Sequence, residues 1–216
     1  MICDCPRGAS IESVEINGCP FEFGQLRFAI VQRMHSNGTL NQIDDPSLKA
    51  SWTAVKNATD STKVVALPNF YSPSIVPGDR QIVGENSNDT PDGIGIVLGE
   101  GASTISGNFS QAHPVTISQL KKLECEQLGI YLVNASGRIF GKKATPSDSA
   151  TTAVSISPIP IKSFFVKGYE TGSMDNPTKN DFQMKMPANW AEDLEIVKPT
   201  DFNALLELQT VATASV

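Results

Sequence analysis

NFYSPSIVPGDRQIVGENSNDTPDG runs from Asn69 to Gly93. It carries three prolines and three glycines, and its apolar steps are short: Ile75–Val76 and Ile82–Val83. Connections in compact domains usually take about 4–6 residues, and much longer ones are functional or disordered. The composition therefore predicts an extended loop rising from a strand-rich body. Its charge is lopsided, with Asp79, Glu85, Asp89 and Asp92 against Arg80 alone.

The flanks of this loop read as strands. Upstream, Lys63–Leu67 (KVVAL) is a short β-rich run ending at Pro68, and Phe28–Met34 (FAIVQRM) is another. Asn37-Gly38 is a turn signal. Ile11–Asn17 (IESVEIN) alternates apolar and polar residues as a half-buried strand does. Downstream, Gly93–Leu98 (GIGIVL) reads as a strand whose glycines admit close backbone packing. Ile130–Val133 and Arg138–Phe140 flank Asn134-Ala135-Ser136-Gly137, which predicts a hairpin with Gly137 in the left-handed position. Lys142–Ser157 reads as irregular, and Ile159–Tyr169 as strand. Asp181–Met186 (DFQMKM) puts Phe182, Met184 and Met186 on one face. Leu194–Val197 is a further strand.

Two helices interrupt the strands. Asp45–Ala58 has Asp45 as cap, Pro46 at the first helical position, and Leu48, Trp52 and Val55 on one apolar side. Val115–Leu128 is capped by Thr116 or Ser118, buries Ile117, Leu120, Leu123 or Glu124, and Leu128, and is stopped by Gly129. With so few helices between strands, a parallel βαβ fold is disfavoured. The expectation is an α+β protein: a mainly antiparallel β-sandwich or open barrel of eight or nine strands, with two short helices and a long inter-strand loop. Residues 1–198 form one β-rich domain that includes the 69–93 loop. Residues 199–216 form a C-terminal arm, with Phe202, Leu205 and Leu206 as an apolar patch.

Composition narrows the function. The chain has 216 residues, enough for a self-sufficient core. Its net charge is −6 and it has no basic stripe, which argues against reading nucleic acid through the grooves. An acidic surface can still face DNA without holding it, because like charges repel. No apolar run is long enough to span a membrane, and MICDCPRGAS lacks the features of a signal peptide. Cys3, Cys5, Cys19 and Cys125 do not match a standard zinc-finger spacing, so reduced thiols are expected rather than a metal site.

No catalytic constellation stands out. His35 and His113 sit in loop contexts without a nucleophile elbow. Asp44-Asp45 reads as a helix cap, and Glu124 and Glu126 on one helix would point apart. Gly93–Gly101 lacks the phosphate-loop signature. Asp79, Asp89 and Asp92, with Asn86 and Asn88, do not fit a calcium loop. The expectation is no enzyme and no cofactor. Trp190 is the one candidate platform for a glycan-binding alternative.

Four stretches carry a resemblance: Ala50–Pro68, Ser118–Lys143, Ile159–Gly172 and Asn189–Leu208. They resemble tail-type virion proteins of bacteriophages infecting Bacteroidetes, and the likeness runs from about residue 25 onward. It implies a structural subunit, first of all a major tail-tube protein, forming hexameric rings that stack around a channel through which DNA passes without specific binding. It implies assembly in the host bacterial cytoplasm and residence in the virion tail, with identical subunits and other tail or neck proteins as partners and no membrane. A neck, connector or head-decoration protein is the alternative. On this reading Ile75, Val76, Ile82, Val83, Phe202, Leu205 and Leu206 contact neighbouring subunits. Asp79, Glu85, Asp89 and Asp92 face the lumen.

Overall fold

The computed structural model describes residues 23–84, 96–146, 154–170, 172 and 177–209. The Ile11–Asn17 strand and Cys3, Cys5 and Cys19 lie outside them.

In chain order, the first elements are β1 (Leu26–Arg33), β2 (His35–Ser36), β3 (Thr39–Leu40), β4 (Ile43–Asp44) and α1 (Lys49–Asn57). β5 (Val64–Ala66), β6 (Tyr71–Val76), β7 (Arg80–Val83), β8 (Ile96–Glu100), β9 (Ser103–Ser110) and α2 (Pro114–Lys122) follow. Then come β10 (Leu128–Asn134), β11 (Ile139–Ala144), β12 (Ser155–Ser157), β13 (Ile159–Pro160) and β14 (Ser163–Val166). β15 (Lys179–Met186), β16 (Leu194–Val197) and α3 (Ala204–Glu207) complete the described chain.

Among the described residues every strand pairing is antiparallel. The larger sheet runs β4-β12-β11-β10-β1-β5, with β13 also on β10 and β16 also on β11. The smaller runs β14-β15-β9-β6. The protein is thus mostly antiparallel β with few short helices, as its sequence predicts.

Side-chain alternation explains how two central strands serve two cores. From β1, Ala29 and Val31 enter one cluster while Phe28 and Ile30 enter the other. From β10, Ile130 and Leu132 go to the first, Tyr131 and Val133 to the second. The first core draws Ile105, Phe109, Phe164, Phe182 and Met184 from the smaller sheet, and Ile117 and Leu120 from α2. The second is closed by Trp52 of α1 and by Ala204 and Leu208 of the C-terminal segment. A strand sandwiched this way cannot alternate in polarity, and β10 (LGIYLVN) is buried at every position.

Several local expectations hold. Asn134–Gly137 makes the turn: Gly137 has φ +75°, and the Asn134 side-chain oxygen accepts from the backbone N–H of Ser136 and Arg138. Phe182, Met184 and Met186 are buried, while Gln183 and Lys185 are exposed. Others are corrected. α1 starts at Lys49, because Asp45 takes φ +50° and its carbonyl accepts from the Leu48 N–H in a turn. Its free N-terminal amide at Lys49 is satisfied by the distant Asp201 carboxylate at 2.8 Å, so Asp45 is not the cap and Leu48 is exposed. α2 is capped by His113, whose Nδ1 accepts from the Val115 N–H, not by Thr116 or Ser118. It ends in a 3-10 turn at Leu123–Cys125, and Gly129 lies inside β10 rather than stopping it. The span read as irregular between Lys142 and Ser157 carries the end of β11 and a buried β12.

Candidate functional site

The 69–93 segment is not an irregular loop where it is described. β6 pairs with β9, and β7 pairs with β8. The register carries from one pair to the next: Val76 lies opposite Thr104, and Arg80 lies opposite Glu100. The four strands therefore make one long hairpin ribbon, rooted in the smaller sheet and continuing beyond it. The prolines do not prevent this. β6 is the edge strand of the smaller sheet, and Pro73 falls where its pairing with β9 shifts register between Tyr71 and Ser74, so its missing N–H breaks no central ladder.

The ribbon narrows at a neck. The Gly101 N–H donates to the Asp79 carbonyl at 2.9 Å. A Cβ added to Gly78 would lie 2.3 Å from the Gly101 carbonyl carbon, so the two backbones meet at a distance only glycine permits. Past the neck, pairing slips by one residue between Gln81 and Ile82, a bulge on the β8 side. Bulges bend a ribbon and increase its twist.

Beyond the neck the described part of the ribbon is largely exposed. β8 (IVLGE) is exposed at every position, with Val97 56% and Leu98 64% exposed. Val83 and Ile96 are exposed too, as is Val76 just before the neck, and Ile82 is half-buried. Ile75 differs, because it packs against the first core at the ribbon's root. Asp79 is exposed at the neck. Glu85, Asp89 and Asp92 lie outside the described residues, as do Gly93 and Gly95 of the expected GIGIVL strand. Close packing is not what the described part of that strand does: its aliphatic side chains face outward.

The C-terminal segment behaves differently from an arm as far as Gln209. The Thr200 N–H donates to the Ser47 carbonyl, and Lys49 Nζ pairs with Glu207. Ala204 and Leu208 are buried in the second core, with Phe202 and Leu205 packed against it. Only Leu206 of the expected contact patch projects, at 69% exposed. The leucine spacing in NALLEL suits a final helical turn on the chain's own body, which is what forms.

Residues with chemical potential are dispersed. Glu124 accepts the Val166 N–H, while Glu126 pairs with Arg33 at 2.8 Å. Asp44 accepts from Ser155 Oγ. His35 and His113 are both exposed. Among the described residues no group of three or more His, Cys, Asp or Glu side chains could hold a metal ion, and Cys125 is the only cysteine. Trp190 is buried and packs on Phe23 at 5.7 Å, so it offers no glycan platform. Among the described residues no helix is long and apolar enough to cross a membrane.

No family model matches the chain, and no curated protein matches it. Among solved structures, a chain from the virion of a native gene transfer agent (GTA) particle is similar at 15% identity and a TM-score of 0.34, over 62% of this chain and 88% of that one.

Proposed function

We propose that this protein is a structural subunit whose copies join through the ribbon beyond the Gly78–Gly101 neck, building a ring-based virion tube. The observation that carries the reading is the ribbon. An isolated two-stranded hairpin is at best marginally stable in water. This one also presents Val83, Ile96, Val97 and Leu98 to solvent. Contiguous exposed aliphatic groups on an otherwise well-packed protein mark an interaction site. A second copy is the occupant we favour, because the stretches Ala50–Pro68 and Ser118–Lys143 resemble tail-type virion proteins, which work as repeated subunits. Self-association through a heterologous contact closes into rings or continues into stacks.

Assembly then supplies what the free subunit lacks. Docking orders the ribbon at a cost of about 1–2 kcal/mol per residue newly fixed, offset by buried aliphatic area at about 25 cal/mol per Å². Repetition around a ring makes modest contacts sufficient. In this reading Ile82 and Val83 meet the neighbour beyond the neck, with Val76 just before it, and Leu206 adds a second exposed contact. Acidic residues of the same segment, Asp79 among them, would line a channel that repels DNA and lets it slide. Negative-stain images of purified protein at high concentration should show rings or tubes. Monodisperse particles of subunit size under the same conditions contradict the proposal.

A further inference from the structure

The smaller sheet has two unlike ends. At one, β6 and β9 run out past the Val76–Thr104 pair into the neck and the ribbon. At the other, β9 finishes at Ser110 opposite Lys179, where β15 begins, and Glu170 bridges to the same Lys179. Tyr71 opens β6 at this far end, opposite Asn108. α2 starts here as well, and the Tyr169 hydroxyl donates to the Ala112 carbonyl at 3.1 Å, two residues before Pro114. The rim so formed presents Tyr71, Val115 and Tyr169 to solvent. Aromatic side chains in such positions are the usual anchors of protein interfaces.

Charge decides what this rim suits. Residues 79–100 carry Asp79, Glu85, Asp89, Asp92 and Glu100 against Arg80 alone. Two ribbons laid on each other would bring like charges together, which disfavours that pairing. The rim repels no such segment, because Lys167 pairs with Asp181 at 3.3 Å and Lys179 with Glu170 at 3.8 Å. Nor is the rim within reach of its own ribbon. β9 spans eight residues, about 26 Å at roughly 3.3 Å each, and the ribbon leaves from the opposite end.

We infer that the ribbon of one copy docks on the far rim of the smaller sheet of the next, where Tyr71, Val115 and Tyr169 take its aliphatic side chains. This rests on the ribbon reading given above and names the surface that receives it. Donor and acceptor lie at opposite ends of one sheet, so the contact is heterologous and repeats head to tail.

A mixing experiment tests this. Val115→Asp with Tyr71→Asp alters the rim, and Val97→Lys with Leu98→Lys alters the ribbon. All four side chains are exposed, so both dispersed variants should melt at the parent's temperature. In sedimentation velocity at matched high concentration, each variant alone should remain subunit-sized. Their equimolar mixture should regain pairs or larger species, because the unaltered ribbon of one meets the unaltered rim of the other. The milder Tyr169→Ala should raise the concentration needed for assembly at least about tenfold. A rim variant that assembles like the parent, or a mixture of folded variants that stays dispersed, overturns the inference and leaves the ribbon reading standing. A ribbon variant that assembles like the parent overturns that reading, and the inference with it.

Discussion

β10 and β8 are both short, aliphatic-rich strands, LGIYLVN and IVLGE, yet one is buried at every position and the other exposed at every position. The difference lies in what surrounds them. β10 sits between β1 and β11, with the smaller sheet and α2 over one face and α1 and α3 over the other. Among the described residues β8 pairs with β7 alone, and its side chains face solvent. The first strand completes a fold within one molecule. The second, in our proposal, awaits another. Local sequence fixes strand character in both, but burial is decided by long-range packing, which the described residues do not supply to β8 beyond the neck.

The contrast yields unequal expectations for substitutions. Phe140, fully buried and stacked on Phe23 at 4.8 Å, belongs to the body. Phe140→Ala should cost about 3–5 kcal/mol, through lost transfer energy and the cavity left behind. Thermal unfolding would measure it, and a variant within 1 kcal/mol of the parent, on the order of a surface change, would break the account of the core.

Tyr131→Phe is a smaller change with a sharper cause. The Tyr131 hydroxyl donates to Gln32 Oε1 at 2.8 Å, and Gln32 Nε2 donates to the Thr62 carbonyl. Burial pushes the Tyr131 hydroxyl well above its ordinary pKa, so it stays protonated and remains a donor. Removing it strands a buried acceptor, at a cost of about 1–3 kcal/mol. Denaturant titration should register that loss without a change in slope.

The ribbon should respond the opposite way. Val97→Lys with Leu98→Lys should leave subunit stability within about 0.5 kcal/mol, because neither side chain is buried in the free protein. Assembly should nevertheless fail, since the added charges would be carried into an apolar contact. Thermal unfolding of the dispersed subunit, alongside light scattering of concentrated samples, separates the two effects.

The smallest effect is expected at the C-terminal seam. The hydrogen bond from Lys49 holds the Glu207 carboxyl below its usual pKa and raises the Lys49 ammonium. A depressed carboxylate stabilises the fold above its unfolded pKa, and that contribution disappears as pH falls through the folded value. The pair is solvent-exposed, so Glu207→Gln should lower the melting temperature only slightly at neutral pH. The gap between variant and parent should close in acid.

Much of the body was legible in the sequence. Alternation in DFQMKM gave the buried face of β15, and Asn134–Gly137 gave the β10–β11 turn, because both signals are local. The caps of α1 and α2 were misread for opposite reasons. His113 caps α2 from one residue before its start, an uncommon choice at that position. Asp201 reaches α1 from far along the chain, and no local pattern encodes that. The ribbon is hidden in the sequence because proline and glycine usually signal irregular chain, whereas here Pro73 sits on the edge strand of the smaller sheet and Gly78 at the pinch of the neck. The C-terminal leucines suggest an arm by composition alone, whereas the position of the second core places those up to Gln209 on the chain's own body.

The central claim is that the ribbon beyond the neck joins copies and contributes little to the fold of one. Gly78 and Gly101 already touch, so excision of residues 79–100 leaves ends that can be joined directly. Sedimentation velocity on the full chain and on this excised variant, at matched high concentration, is the most direct measurement. The account predicts large closed or stacked assemblies for the full chain, and a folded species of subunit size for the variant. Equal assembly by both proteins, or a full chain that sediments as a single subunit, would contradict it.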